Sequence, residues 1–237
     1  MKQLLKRLLP KQVHYLYNRI VSRRKIRARY SDWFDLNWKQ KASRATDSEW
    51  KEAYDLSWEN WGGHDLAPVD LERIGELVGQ GEGVQTLLDA GCGDGYLLAS
   101  LTGRGFKLAG VDLSEKAIVR ARERLGNSVE FQAAFLEKLP FEDKTFDVVV
   151  STHTLEHVRD LDAAVSELRR VCRGRLIILV PRQEYLPYTE DYHVHFFPTE
   201  AELRSGINFP GAKVESYSIP PGVCAYNGEV WLMWGAT

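Results

Sequence analysis

An apolar run at residues 84–88 leads straight into Asp89-Ala90-Gly91-Cys92-Gly93-Asp94-Gly95, after which Tyr96, Leu97, Leu98 and Leu101 supply the first apolar face of a helix. The order describes a strand that ends in a glycine turn and restarts as a helix. Glycine has no Cβ, so it takes positive φ readily and lets a ligand lie against the backbone where a helix opening presents amide N–H groups. Such a turn suits a nucleotide-like cofactor. The dinucleotide fingerprint is G-x-G-x-x-G, with a pyrophosphate on the helix N-terminus. Here the spacing is G-x-G-x-G, with Asp89 before it and Asp94 inside it. Two carboxylates repel a phosphate and suit a cofactor that carries an ammonium group. Asp112 ends a second strand-like run at 108–111, about twenty residues on, where an acid accepts both hydroxyls of a ribose.

The remaining order follows from apolar periodicity. Strands are expected at 84–89, 108–112, 129–132, 146–151 and 175–180, the last stopped by Pro181. Helices are expected at 68–77, 96–101, 114–125 with Ser114 as its cap, 161–172, and after Thr199-Glu200. Strands alternating with helices give an α/β fold with a parallel sheet that takes its ligands at the strands' carboxyl ends. Asp89, Asp112, Phe135, Ser151 and Pro181 all fall at or near that edge.

The glycine turn Leu87-Leu88-Asp89-Ala90-Gly91-Cys92-Gly93-Asp94-Gly95 is followed by Gly110-Val111-Asp112-Leu113-Ser114. Next come Leu139-Pro140-Phe141 with Phe146-Asp147-Val148-Val149-Val150, and then Leu155-Glu156-His157-Val158. In order and spacing this succession resembles the motifs of class I S-adenosylmethionine-dependent methyltransferases, over residues 69–180. The resemblance implies a doubly wound, seven-stranded, mainly parallel sheet, the Rossmann-like methyltransferase fold, with S-adenosyl-L-methionine as cofactor. It implies that Gly91, Gly93 and Gly95 lie against the cofactor's methionine part, with Asp89, Cys92 and Tyr96 beside them. Asp112 would bind the ribose and Leu113 would pack on the adenine, with Ser151 and His157 near the cofactor. The family usually places an acid four residues before Leu-Pro-Phe to accept from the adenine amino group, and here that position is Phe135. Phenylalanine covers a ring but cannot accept that bond, which leaves adenine recognition to backbone groups around Phe135 and Leu136.

Histidines supply the candidate bases. His153 and His157 follow the fourth strand at i, i+4 spacing with Glu156 between them, which does not match H-E-x-x-H, so no metal site is expected. His157 sits in a motif that the family shares across substrates, so its expected role is structural or beside the cofactor. In His193-Val194-His195-Phe196-Phe197, His193 matches the family histidine and His195 is the more individual feature. The catalytic candidates are His193 and His195, with His153 next; for both loop histidines the alternative is a ring held by backbone hydrogen bonds. The sulfonium is already activated, so transfer needs in-line positioning. An oxygen acceptor also needs its proton removed, which a histidine does near neutral pH.

The overall charge of −2 conceals an asymmetry. Residues 1–31 hold ten Lys and Arg and no acid, leaving 21 basic against 33 acidic residues in the remainder. Leu4, Leu5, Leu8 and Leu9, then Val13, Leu16, Tyr17, Ile20 and Val21 after Pro10, form two short basic amphipathic segments. They are too short and charged to span a bilayer and lack a secretory cleavage pattern. Their apolar faces fit either the chain's own domain or a second copy, or an anionic membrane surface contacted by residues 1–30. Nucleic acid is the weakest partner, since no aromatic-interleaved basic motif is present. Trp33, Phe34, Trp38, Trp50, Tyr54, Trp58 and Trp61 follow; the last four form a helical stripe, stopped by Gly62-Gly63, that packs on the core or lends an aromatic to the acceptor pocket. Cys92, Cys172 and Cys224 are far apart, which suggests neither zinc nor a disulfide framework and sets a reducing compartment as the default.

These readings give a helical extension over 1–66 and a cofactor-binding domain over 67–237. The expected protein is a cytoplasmic methyltransferase, peripheral at the inner face of the membrane if the arm binds lipid, and acting on oxygen of a small-molecule or lipid- or nucleotide-linked sugar (glycan-type) acceptor. A quinone precursor or other lipid-like small molecule is the enzyme alternative, and a noncatalytic binding subunit is the alternative of another class.

Overall fold

The computed structural model describes residues 38–60, 65–79, 83–185, 192–224, 226 and 228–237. The basic arm, Trp33, Phe34, Trp61 and the Gly62-Gly63 stop lie outside the described residues. Five parallel strands, β1 (Thr86–Ala90), β2 (Lys107–Asp112), β3 (Val129–Ala133), β4 (Phe146–Thr152) and β5 (Cys172–Arg182), are extended by β6 (Lys213–Ser218) and β7 (Glu229–Ala236). The order is β3-β2-β1-β4-β5-β7-β6, with β7 antiparallel to both of its neighbours. Chain direction across the sheet reverses at β1, whose neighbours are β2 and β4, so the crevice beyond the carboxyl end of β1 is the switch point where ligands of such sheets bind.

Successive side chains of a strand point to opposite faces, and the core divides accordingly. Leu87, Leu108, Val148, Val150 and Ile177 pack with helices α3 (Pro68–Gly79), α4 (Tyr96–Leu101) and α5 (Glu115–Leu125) through Ile74, Leu98 and Ile118. On the other face Leu88, Val111, Val149 and Ile178 pack with α6 (Leu161–Val171) and α7 (Glu200–Gly206) through Leu168 and Leu203. The expected cap is in place, with Ser114 Oγ accepting from Ala117 N at 3.2 Å, and the helix expected to begin at Thr199-Glu200 starts at Glu200 with Thr199 as its cap, Thr199 Oγ1 accepting from Glu202 N at 3.2 Å. Pro181 does not stop β5, which runs on to Arg182 with Pro181 opposite Val230 of β7. A proline lacks an N–H but leaves its carbonyl and its neighbours to the ladder.

Two helices precede the sheet. The second, α2 (Asp47–Asn60), follows the short α1 (Trp38–Ala42) and opens with a capping box, in which Glu49 Oε2 accepts from Thr46 N at 2.7 Å and Thr46 Oγ1 from Glu49 N at 3.3 Å. Trp50 is buried and its indole N–H donates to Ala42 O at 3.2 Å. Trp38 meets Trp50 edge-on at 4.9 Å and Tyr192 at 5.5 Å, so the helices share one aromatic cluster with the chain around residue 192. Asp55 of α2 accepts from the Ser114 hydroxyl at 2.5 Å and from Lys116 N at 3.3 Å. A carboxylate there is favoured by the N-terminal end of the α5 dipole. These bonds hold α2 against the start of α5, beside the switch point.

Candidate active site and cofactor turn

The turn after β1 is fastened to the end of β2. Gly91 N and Cys92 N donate to Val111 O at 2.7 and 2.9 Å, and Gly95 N donates to Cys92 O at 2.9 Å. Gly93 N donates to Asp112 Oδ2 at 2.9 Å, while Ser114 N donates to Asp112 Oδ1 at 2.9 Å. The amides of Gly91, Cys92, Gly93 and Gly95 are therefore spent inside the protein, which corrects the expectation of N–H groups left for a ligand at these positions. The glycines instead serve geometry, with φ of 87° at Gly91 and 52° at Gly93. A Cβ on Gly91 would sit 2.1 Å from Thr154 Oγ1, and one on Gly93 would sit 2.8 Å from Trp58 Cζ2.

Asp89 is 1% exposed, and its Oδ1 has no hydrogen-bond partner. Burial, reinforced by the charge of Asp112, pushes its carboxyl up to about 8. Burial likewise pushes Asp112 up to about 6, against the opposing N–H bonds from Ser114 and Gly93. A buried, unpartnered acid at a switch point is a receptor for positive charge. Asp94 is paired instead, with Arg124 Nη2 at 2.5 Å from its Oδ2. The acid pair and the close-packed glycines of the turn fit the ammonium and ribose hydroxyls of S-adenosylmethionine.

Beyond β4 lies a second buried group. His153 has φ 48° and donates its backbone N–H to Leu179 O at 2.9 Å. Glu156, 1% exposed, lies on the 3-10 turn Leu155–His157. Its Oε1 is 3.6 Å from His153 Nδ1, 3.9 Å from His157 Nε2 and 4.0 Å from His193 Nε2. The Glu156 backbone carbonyl accepts from Val194 N at 2.8 Å and His195 N at 3.0 Å, which locks the two loops together. Burial opposes the charge of Glu156, but the surrounding histidines hold its carboxyl below the usual range. Burial likewise disfavours charge on His153, yet Glu156 outweighs it and raises the ring's pKa. His193 is pushed down to about 4 by burial, which outweighs the attraction of Glu156. Its Nδ1 lies 2.6 Å from Gln183 Oε1.

The structure thus brings His153, His157 and His193 together and sends His195 elsewhere: its Nε2 donates to Val158 O at 2.8 Å. Leu113 and Phe135 both pack against the aromatic cluster of the N-terminal helices. Leu136 and Cys92 are buried in the two main cores, and the Ser151 hydroxyl is tied to Ala90 O at 2.8 Å. Tyr96 begins α4, with the Arg124 guanidinium 5.8 Å from its ring centre. Sequence reasoning did not single out Glu156 as the hub, Thr154 on Gly91, or Trp58 on Gly93. The Tyr54 hydroxyl, which donates to His157 O at 3.3 Å, was legible only as part of the stripe. Among the described residues no helix is long and apolar enough to cross a membrane.

Residues 88–178 match the family model described as a methyltransferase domain. The chain is similar to a ubiquinone biosynthesis O-methyltransferase of Nitrosomonas europaea, at 35% identity over 115 residues covering 47% of this chain and 48% of that protein. It is also similar to a ubiquinone/menaquinone biosynthesis C-methyltransferase of Escherichia coli, at 37% identity over 105 residues, covering 40% and 42% respectively. The chain spans about half the length of the curated relatives it matches. In fold it is similar to a SAM-dependent methyltransferase from Aquifex aeolicus, with a TM-score of 0.52 at 24% identity over 80% of this chain and 98% of that one. Motif order, strand order and domain match thus agree: residues 88–178 form a methyltransferase domain, set in a sheet of the class I S-adenosylmethionine-dependent methyltransferase type.

Proposed function

We propose that this protein transfers the methyl group of S-adenosylmethionine to an oxygen of a small acceptor of the quinone-precursor type. The observation that carries the reading is the buried Asp89 carboxyl at the switch point, its Oδ1 without a partner and ready to ionise against an incoming cation, beside a turn held by Asp112. When bound, the cofactor supplies an activated methyl group. Asp89 meets its ammonium, and Asp112, with two of about four acceptor sites used by Gly93 and Ser114, takes the ribose hydroxyls. Gly91, Cys92, Gly93, Gly95 and Tyr96 wall the methionine part. Leu113, Phe135 and Leu136 flank the adenine, and Ser151 and His157 act from the β4 side. His153, whose Nδ1 faces Glu156, receives the acceptor's proton at Nε2; His193, which burial pushes down to about 4, is too weak a base for this at neutral pH, and His195 holds the loop.

Resemblance to proteins named for ubiquinone and menaquinone biosynthesis supports a quinone-precursor acceptor over the sugar acceptor expected from the sequence. The basic arm suits a reaction on a lipid-like substrate at an anionic membrane surface; sedimentation with anionic vesicles, lost at high salt, tests that part. The activity test incubates the protein with S-adenosylmethionine and either a hydroxylated quinone precursor or a nucleotide sugar, and follows S-adenosylhomocysteine and the methylated product by mass spectrometry. Product from the phenol alone supports the proposal. Product from the sugar alone overturns the acceptor, and cofactor binding without turnover on either overturns the enzyme reading in favour of a binding subunit.

A further inference from the structure

Glu156 is a buried carboxylate whose two oxygens lack any hydrogen-bond partner, ringed by three imidazoles whose nitrogens lie 3.6–4.0 Å from Oε1. A buried charge is tolerated only when paired and hydrogen-bonded. A direct imidazolium–carboxylate bond would close to about 2.7–2.9 Å, and none of the three does. The observed gaps instead match ligands that share an ion: two donors each about 2.1 Å from a tetrahedral zinc stand about 3.4 Å apart. The tautomer of His193 points the same way. Its Nδ1 donates to Gln183 Oε1 at 2.6 Å, so Nε2 carries the lone pair and faces the carboxylate at 4.0 Å. A ring whose other nitrogen is fixed by an acceptor is how metal-ligating histidines are oriented.

We propose that Glu156 Oε1, His157 Nε2 and His193 Nε2 form a binding site for one divalent transition cation of the zinc type, with His153 bordering it and Gln183 orienting His193. The three ligand residues offer donor atoms within 4.8 Å of one another, so modest contraction completes the site. A two-histidine, one-carboxylate set with open positions suits Zn(II), Co(II) or Fe(II). Local sequence spacing conceals it, because His193 comes from a different loop and reaches Glu156 through the backbone bonds of Val194 and His195. The proposal does not depend on the identity of the methyl acceptor.

The test uses the full-length, untagged protein, stripped with chelator and titrated with Zn(II) by calorimetry and with Co(II) by visible absorption. One cation per chain is expected, with a Co(II) spectrum lacking thiolate charge-transfer bands. Glu156→Gln and His193→Asn should abolish it. Gln183→Ala should weaken it by about 10–100-fold, the usual effect of removing a group that orients a ligand, and His195→Asn should leave it unchanged. Circular dichroism identifies any variant that fails to fold; if Glu156→Gln does, His193→Asn and Gln183→Ala carry the test. Absence of stoichiometric binding by the folded wild-type chain overturns the site, as does binding of equal strength in a folded His193→Asn variant.

Discussion

Replacing Gly93 by alanine tests whether helix α2 truly lies on the cofactor turn. Two separable costs follow from the geometry. The first is conformational: φ at Gly93 is 52°, and a left-handed backbone costs a residue with a Cβ about 1–2 kcal/mol. The second is steric, because the new Cβ would lie 2.8 Å from Trp58 Cζ2 and 2.9 Å from Cη2, and overpacking of this kind costs about 1–3 kcal/mol. Gly93→Ala should therefore lose about 2–5 kcal/mol of unfolding free energy. Trp58→Ala removes only the steric part, so in that background the same substitution should cost about 1–2 kcal/mol. The assay is urea unfolding of the wild type, both single variants and the double variant, each with and without S-adenosylhomocysteine. The expected coupling is about 1–3 kcal/mol, well beyond the roughly 0.5 kcal/mol scatter of independent sites. Additivity within that scatter would refute the contact and remove α2 from the turn.

Three further outcomes are expected. The Asp89 carboxyl is raised to about 8, so the folded chain holds a proton that the unfolded chain releases above about pH 4, and stability falls as pH rises through that window. Asp89→Asn should flatten the decline in urea midpoint between about pH 5 and pH 8, and an unchanged slope would remove Asp89 as its source. Asp147 accepts from Arg173 Nε at 2.7 Å and from Gln85 N, Thr86 N and Thr86 Oγ1 at 2.9 Å, with Arg173 foremost in holding its carboxyl well below the usual range. Its contribution is present above about pH 4 and fades as pH falls; Asp147→Ala should cost at least about 1.5–3 kcal/mol at neutral pH, and a variant as stable as wild type by urea unfolding would contradict this. His195→Ala, which removes the bond to the Val158 carbonyl, should cost about 0.5–1.5 kcal/mol in the same assay; an undiminished midpoint would show that the ring does not hold the loop.

The apolar runs around Leu88, Val111 and Val149, the glycine turn and the Ser114 cap were legible in the sequence because each is local. Strand periodicity, positive φ and a side chain capping its own helix involve residues close along the chain. The same locality placed Asp89 and Asp112 at one sheet edge once parallel strands were inferred. Registers and loops were beyond it. Nothing near Pro181 shows that β7 inserts antiparallel beside β5 and carries the strand past the proline. Trp58 reads as one more member of an aromatic stripe, and only the docking of α2 through Asp55 and Ser114 sets its ring on Gly93. The pairing of Glu156 with His193 depends on backbone bonds between two loops. Spacing records which residues share a helix or strand face, whereas convergence of separate loops on one buried carboxylate is decided by packing in three dimensions.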